Sequence, residues 1–231
     1  MLRLRLAGIR QWVDYRGWRG CWMGLVVAVL TLAVSAQSMW AFDTNPVEAR
    51  WTSGQGNWFI ASHWSTGEVP DGTTAVEIGR DWEVLSVEID QPGAIAYSLD
   101  LSDRLGGASI DIKEGGTLDV LAGGARIGQF VVGITELFAN SRMSVAGTTE
   151  IGTYGHGTLI LGEGSRFETN QPIILGVATE STGTIVIRGD TAGVIDAPAI
   201  QSGDGTATVD FNHTDLDYWF THDGTADGDA V

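Results

Sequence analysis

Apolar residues followed by glycine recur at a fixed spacing along this chain. Ile127-Gly128, Ile151-Gly152 and Leu175-Gly176 stand 24 residues apart, and Ile200 follows Leu175 by 25. Between these marks runs a second phrase, Gly-Thr followed by alternating positions. It occurs as Gly116-Thr117-Leu118-Asp119-Val120, Gly157-Thr158-Leu159-Ile160-Leu161, Gly183-Thr184-Ile185-Val186-Ile187 and Gly205-Thr206-Ala207-Thr208-Val209. Alternation in step of two marks strands with one buried face, and glycine between them marks tight turns. A period of this size predicts a solenoid in which each repeat is one coil. A single coil cannot bury its own apolar face, so the coils must stack. Ile127, Ile151, Leu175 and Ile200 are therefore expected to form one inward ladder.

The alternation starts before the repeat becomes regular. Val76 and Ile78, then Val84, Val87 and Ile89, read as the first strands, followed by Tyr97–Leu101 and Ile110–Ile112. The coil between Phe130 and Arg142 fits least well, and Gly133–Phe138 within it is expected to be a protruding loop or a short helix. From Ala41 to Gly79 the texture changes. Trp51, Trp58, Trp64 and then Trp82 are interleaved with Gly54, Gly56, Gly67 and Pro70. Such a segment is either a carbohydrate-stacking platform or an apolar plug. The plug is the expectation, because an open solenoid end exposes strand edges that need a cover.

Composition agrees with an all-β chain. Glycine makes up 32 of 231 residues, charged residues are 18%, and Lys113 is the sole lysine. Helices with Glu- and Lys-rich outer faces have no material here. The start of the chain reads differently. Arg3, Arg5, Arg10, Arg16 and Arg19 precede an apolar run from Cys21 to Ala36 that ends in small residues. That run falls short of the roughly 20 residues a spanning helix needs. Residues 1–38 are thus expected to be a signal peptide, cut to leave Gln37 or Met39 at the new terminus. Its removal takes five arginines and Asp14, and moves the formal net charge from −16 to −20. So acidic a surface excludes nucleic acid as a partner. Cys21 is the one cysteine and leaves with the signal, so no disulfide supports the exported chain.

Several of these residues carry a family resemblance. The Trp-rich opening, coils such as GTLILGEGSRFETNQPIILG, and the phrase Val209-Asp210-Phe211-Asn212-His213-Thr214-Asp215, with Tyr218 and Phe220 after it, resemble autotransporter passenger regions. The likeness lies in their β-strand repeats and pectin-lyase-like β-helix. It implies a right-handed parallel β-helix with an N-terminal cap, export across the inner membrane, and display at a Gram-negative cell surface. The long basic stretch before the apolar run also resembles that family's signals. The family ends in a translocator barrel, whose alternating segments of about 10 residues are not read up to Val231. Outer-membrane attachment is therefore expected only through a barrel outside this sequence. A fragment of a longer autotransporter, a truncated gene product and a passenger-like protein secreted alone all stay open.

Chemistry is sparse. His63, His156, His213 and His222 are scattered, without the pairing that zinc requires. Gly152-Thr153-Tyr154-Gly155-His156-Gly157 reads as a turn. Asp215, Asp217, Asp223, Asp227 and Asp229 supply oxygens suited to calcium but lack a calcium-loop spacing, and a solvated acidic tail is the expectation. Arg188-Gly189-Asp190 matches an integrin-binding tripeptide, and is read as a strand end. Asn212-His213-Thr214 fits a glycosylation sequon without consequence in bacterial export.

No catalytic, cofactor-binding or metal-binding residue is assigned, and no cofactor is expected. The chain divides into a signal (1–38), a Trp/Gly-rich cap (39–75), β-helix coils of about 24 residues (76–215) and an acidic tail (216–231). The functional expectation is a non-catalytic surface stalk or adhesive scaffold, with cell-surface molecules or glycans as partners. The alternative is a carbohydrate-active lyase or hydrolase on the same scaffold. That reading requires Asp111, Asp119, Glu150 or Arg188 to converge on one face.

Overall fold

The computed structural model describes residues 46–79, 84–102 and 106–214. The signal and its cleavage sites, Trp82, His222 and the aspartates from Asp215 onward lie outside the described residues. The described chain is strand and turn, with one 3-10 turn at Ala61–His63. It enters through β1 (Val47–Arg50), β2 (Gln55–Asn57) and, after a tryptophan-bearing loop, β3 (Thr74–Ile78). Two coils of two strands follow: β4 (Leu85–Ile89) with β5 (Ala94–Leu101), then β6 (Ala108–Ile112) with β7 (Thr117–Ile127). The next coil holds β8 (Val132–Leu137), β9 (Arg142–Val145) and β10 (Thr149–Ile151). After it come β11 (His156–Leu161), β12 (Arg166–Thr169) and β13 (Ile173–Leu175), and then β14 (Thr182–Gly189), β15 (Val194–Asp196) and β16 (Ile200–Ser202). The last is β17 (Thr206–His213).

These strands stack in parallel, coil on coil. The first sheet runs β2-β4-β6-β8-β11-β14-β17, and the second runs β1-β3-β5-β7-β10-β13-β16. A branch of the second, β9-β12-β15, continues from the first half of β7 and makes a third face. The long strands β5 and β7 each serve two faces, and their register shifts between Ala96 and Ser98 where they bend. The result is a parallel β-solenoid of about seven turns.

The inward ladder is longer than its sequence signature. Ile78, Leu101, Ile127, Ile151 and Leu175 stack in register, all 0–1% exposed. Removing aliphatic surface from water in this way is worth about 25 cal/mol per Å². Each is followed by a corner residue in the left-handed region: Gly79 (φ 88), Ser102 (φ 65), Gly128 (φ 74), Gly152 (φ 73) and Gly176 (φ 60). Ile200 does not join this ladder. It pairs with Ile173, and Ser202 stands opposite Leu175. The corner before β14 and the turn after it are each longer than in the coil before, so the third strand arrives late.

The corner glycines meet a second glycine column. Gly133, Gly157 and Gly183 stack in register on the first sheet. A Cβ on Gly157 would come under 3.0 Å from the Ile127 carbonyl oxygen and the Gly152 nitrogen, and one on Gly183 equally close to Ile151 and Gly176. Isoleucine-glycine and glycine-threonine are therefore two halves of one backbone contact. The other two Gly-Thr phrases do not belong to it. Gly116-Thr117 opens β7 on another face, and Ala207-Thr208, not Gly205-Thr206, pairs with Gly183-Thr184.

Two further expectations are corrected. Gly133–Phe138 is neither loop nor helix: β8 is a strand whose Thr135 sits fully buried between Ile110 and Leu159. A hydroxyl at an inward position hid the alternation. Strands also begin earlier than Val76, because β1 and β2 already pair in parallel with β3 and β4. Val84 lies outside β4 and is 80% exposed.

The tryptophans pack at this N-terminal end. Trp51, Trp58 and Trp64 are at most 5% exposed and meet edge to face at 5.0 and 4.8 Å. Trp64 Nε1 donates to the Trp58 carbonyl at 2.8 Å. Buried rings offer no face to a sugar, so the platform reading finds no support in them.

Two measurements check this packing. Gly157→Ala should destabilise by more than 1 kcal/mol in denaturant melts, because backbone rather than a movable side chain blocks its Cβ. Gly54→Ala, with nothing within 4 Å of its Cβ position, should stay within about 0.5 kcal/mol of the parent. Equal melts would reject the corner contact. The Thr135 hydroxyl has no hydrogen-bond partner, so Thr135→Val should stabilise the fold by about 1 kcal/mol. A loss of stability would mean that the hydroxyl is satisfied.

Candidate binding face

On the outward positions of the three faces, charged side chains are arranged in ladders. On the second sheet Asp100, Arg126 and Glu150 stack in register, with Arg126 3.2 Å from Asp100 and 3.6 Å from Glu150. Nearer its start Arg50 pairs with Glu77 at 3.0 Å. On the branch, Arg142 and Arg166 stack on each other, which by itself would repel. Acids two positions along remove the conflict: Arg142 lies 3.1 Å from Asp119 and 2.8 Å from Glu168, and Arg166 pairs with Glu168 and with Asp196 at 2.7 Å. On the first sheet Lys113 bridges Glu88 and Asp111 at 3.3 and 3.0 Å, and Arg188 reaches Glu136.

This arrangement places the four residues on which an enzyme reading would rest. Asp111 and Arg188 are on the first sheet, Glu150 on the second and Asp119 on the branch, each in an ion pair. They do not converge. The three described histidines are equally dispersed. His63 meets Trp51 edge to face at 5.1 Å, His156 is exposed at the start of β11, and His213 ends β17 beside Phe211. Among the described residues no group of three or more His, Cys, Asp or Glu side chains is placed to hold a metal ion. In Arg188-Gly189-Asp190 the guanidinium pairs with Glu136, and the Asp190 carbonyl accepts a 3.5 Å hydrogen bond from Thr214 Oγ1. Asn212-His213 lies at the end of the same strand pairing, opposite Arg188-Gly189.

A different group of residues does gather. Phe130, Val132 and Tyr154 are 48%, 43% and 62% exposed, and they share one corner of adjacent coils. Tyr154 N donates to the Gln129 carbonyl at 2.8 Å, which sets Tyr154 in line with Phe130. The two rings stack with centroids 5.2 Å apart and planes 15° from parallel. Val132 pairs with exposed His156 at the edge of the first sheet. Beyond them the outer side of that sheet is β-branched and half-buried: Ile134, Thr158 and Thr184 in one column, with Ile160 and Val186 in the next. This is a flat surface of methyl and hydroxyl groups, edged by an aromatic pair. Large exposed rings are the kind of surface that marks contact with other molecules. Sequence reading passed over Phe130 and Tyr154, although they are separated by the same 24 residues as the ladder.

Charge on the branch has a measurable consequence. Burial works to raise the Glu168 carboxyl, but hydrogen bonds and charge from Arg142, then from Arg166, hold it below the ordinary glutamate range. A folded value below the unfolded one adds stability above the unfolded pKa of about 4.3. That stability is lost as pH falls through the folded value. The melting-temperature gap between parent and Glu168→Gln should therefore be widest above about pH 5 and close toward about pH 3. A gap that does not change with pH would remove the carboxylate from this role.

No protein-family model matches the chain, and no curated protein or solved structure matches it.

Proposed function

We propose that this protein is an exported, non-catalytic surface β-solenoid, similar in plan to an autotransporter passenger, that serves as a stalk or adhesive scaffold. One observation carries the reading. Asp111, Asp119, Glu150 and Arg188 are spread over three outer faces and held in ion pairs, while exposed Phe130 and Tyr154 stack at one corner. A scaffold needs that distribution: uniform coils to give length and stiffness, and a local patch to touch a partner. An enzyme needs the opposite, with acids and bases drawn together.

Finer parts of the reading follow from the same picture. The coils wind right-handed, as crossovers between parallel strands nearly always do. Residues 1–38 direct export and are removed. Attachment to the outer membrane, if the protein is held there, is through a translocator barrel. Partners are surface molecules of a host or neighbouring cell.

Expression of the full chain in a Gram-negative host tests this. The exported protein should begin near Gln37 or Met39 by N-terminal sequencing, without Cys21. It should leave acidic and neutral polysaccharides uncleaved while it binds cells or extracellular matrix. Recovery of Met1 with the apolar run intact would mean an anchored protein. Turnover of a polysaccharide would move the assignment to the carbohydrate-active enzyme.

A further inference from the structure

The aromatic corner stops one ring short. Phe130, Tyr154, Ala178 and Asp204 occupy one row on successive coils. Tyr154 N donates to the Gln129 carbonyl at 2.8 Å, Ala178 N to the Thr153 carbonyl at 3.0 Å, and Asp204 N to the Val177 carbonyl at 3.1 Å. Neighbouring strands stand about 4.8 Å apart, so each step of the row is one stacking distance. Phe130 covers one face of Tyr154. On the other side Ala178 offers only a methyl group where a third ring would lie, and Tyr154 remains 62% exposed. Past Ala178 the row reaches exposed Asp204, and exposed Glu180 sits on the same corner with φ 73.

Charge decides what fits there. Arg50, Lys113, Arg126, Arg142, Arg166 and Arg188 are all engaged by acids elsewhere on the solenoid. Glu180 and Asp204 have no ion pair among the described residues. The whole chain has a formal net charge of −16 and a pI near 4.4. An open tyrosine face with carboxylates around it, on so acidic a protein, is complementary to a planar cation. Guanidinium is flat, stays charged, stacks on aromatic faces and forks onto a carboxylate. An anionic glycan would be repelled, and a neutral one would leave the carboxylates unused.

We propose that the corner formed by Tyr154, Ala178 and Asp204 takes an arginine side chain of a basic polypeptide, the guanidinium lying over Tyr154 and directed toward Asp204. The inference rests on the adhesive reading above and names the chemistry of its partner. Its contact would be narrow, with neighbouring Phe130 and Val132 supplying apolar area for the partner's stem.

The probe is a fluorescent Gly-Ser peptide carrying four arginines, titrated by polarisation against the exported chain at near-physiological salt, where diffuse attraction is screened. Tyr154→Ala should weaken binding about fivefold, the equivalent of roughly 1 kcal/mol of cation–π attraction. Tyr154→Phe, which keeps the ring, should bind as the parent does, and Asp204→Asn should weaken binding. Asp90→Asn removes the same charge from a turn between β4 and β5, and should leave affinity unchanged. Melts of each variant confirm that the exposed substitutions leave the fold intact. Equal losses for Asp90→Asn and Asp204→Asn, with none for Tyr154→Ala, would show diffuse attraction and overturn the site. So would binding of a β-glucan oligosaccharide, in place of the arginine peptide, through Tyr154. That outcome would leave the adhesive reading standing. Failure of the chain to reach the cell surface or to bind cells would sink that reading instead.

Discussion

Each coil of the central stack turns where two backbones touch. Gly152 and its neighbour Ile127 press on Gly157 so closely that a methyl group at Gly157 would lie under 3.0 Å from both backbones, and the same contact recurs at Gly176, Ile151 and Gly183. The approach needs glycine twice. The corner residue must take a left-handed conformation, which costs glycine nothing, and the facing strand must offer no Cβ. Once the corner is closed, the ladder residue just before it is carried inward and its backbone is placed to bond the next coil. One earlier coil solves the same corner differently. At Ser102 a left-handed serine donates its hydroxyl to the Val132 carbonyl at 2.6 Å and accepts from Ala108 N at 3.0 Å. Side-chain hydrogen bonds there replace the close backbone contact.

Parallel stacking brings a second constraint. Equal positions on successive coils lie one strand spacing apart, so any charge that repeats with the period meets itself. Arg142 and Arg166 do so, and the acids beside them turn repulsion into a network. Single exposed ion pairs contribute between nothing and about 1 kcal/mol. Their value here is compatibility: they let a charged column exist on a stacked sheet without pushing the coils apart.

Stability in such a stack is local. Each coil is held by its neighbours, so a defect is felt chiefly by the coils on either side. Burial follows this rule along the first sheet. Leu161 and Ile187 are fully buried in the middle, whereas Phe211, next in the same column, is 46% exposed at its end. The aromatic corner sits on coils with a described neighbour on either side.

The sequence by itself determined the class of fold. A 24-residue period of isoleucine and glycine, short alternating stretches and abundant glycine are local properties. They fit little else than stacked coils, and Ile127, Ile151 and Leu175 do form one ladder. The burial of Trp51, Trp58 and Trp64 was legible from their dense spacing among glycines. Tertiary structure decided which repeats meet. Register on one face is the sum of turn lengths on the others, so two longer turns carried Ile200 out of its ladder. Two of the four Gly-Thr phrases lie out of the shared glycine column although their local pattern is identical. Thr135 became an inward residue because Ile110 and Leu159 hold its strand from both sides, a long-range demand that no local preference encodes. The pairing of Phe130 with Tyr154, and the empty step above Ala178, likewise exist only once the coils are stacked.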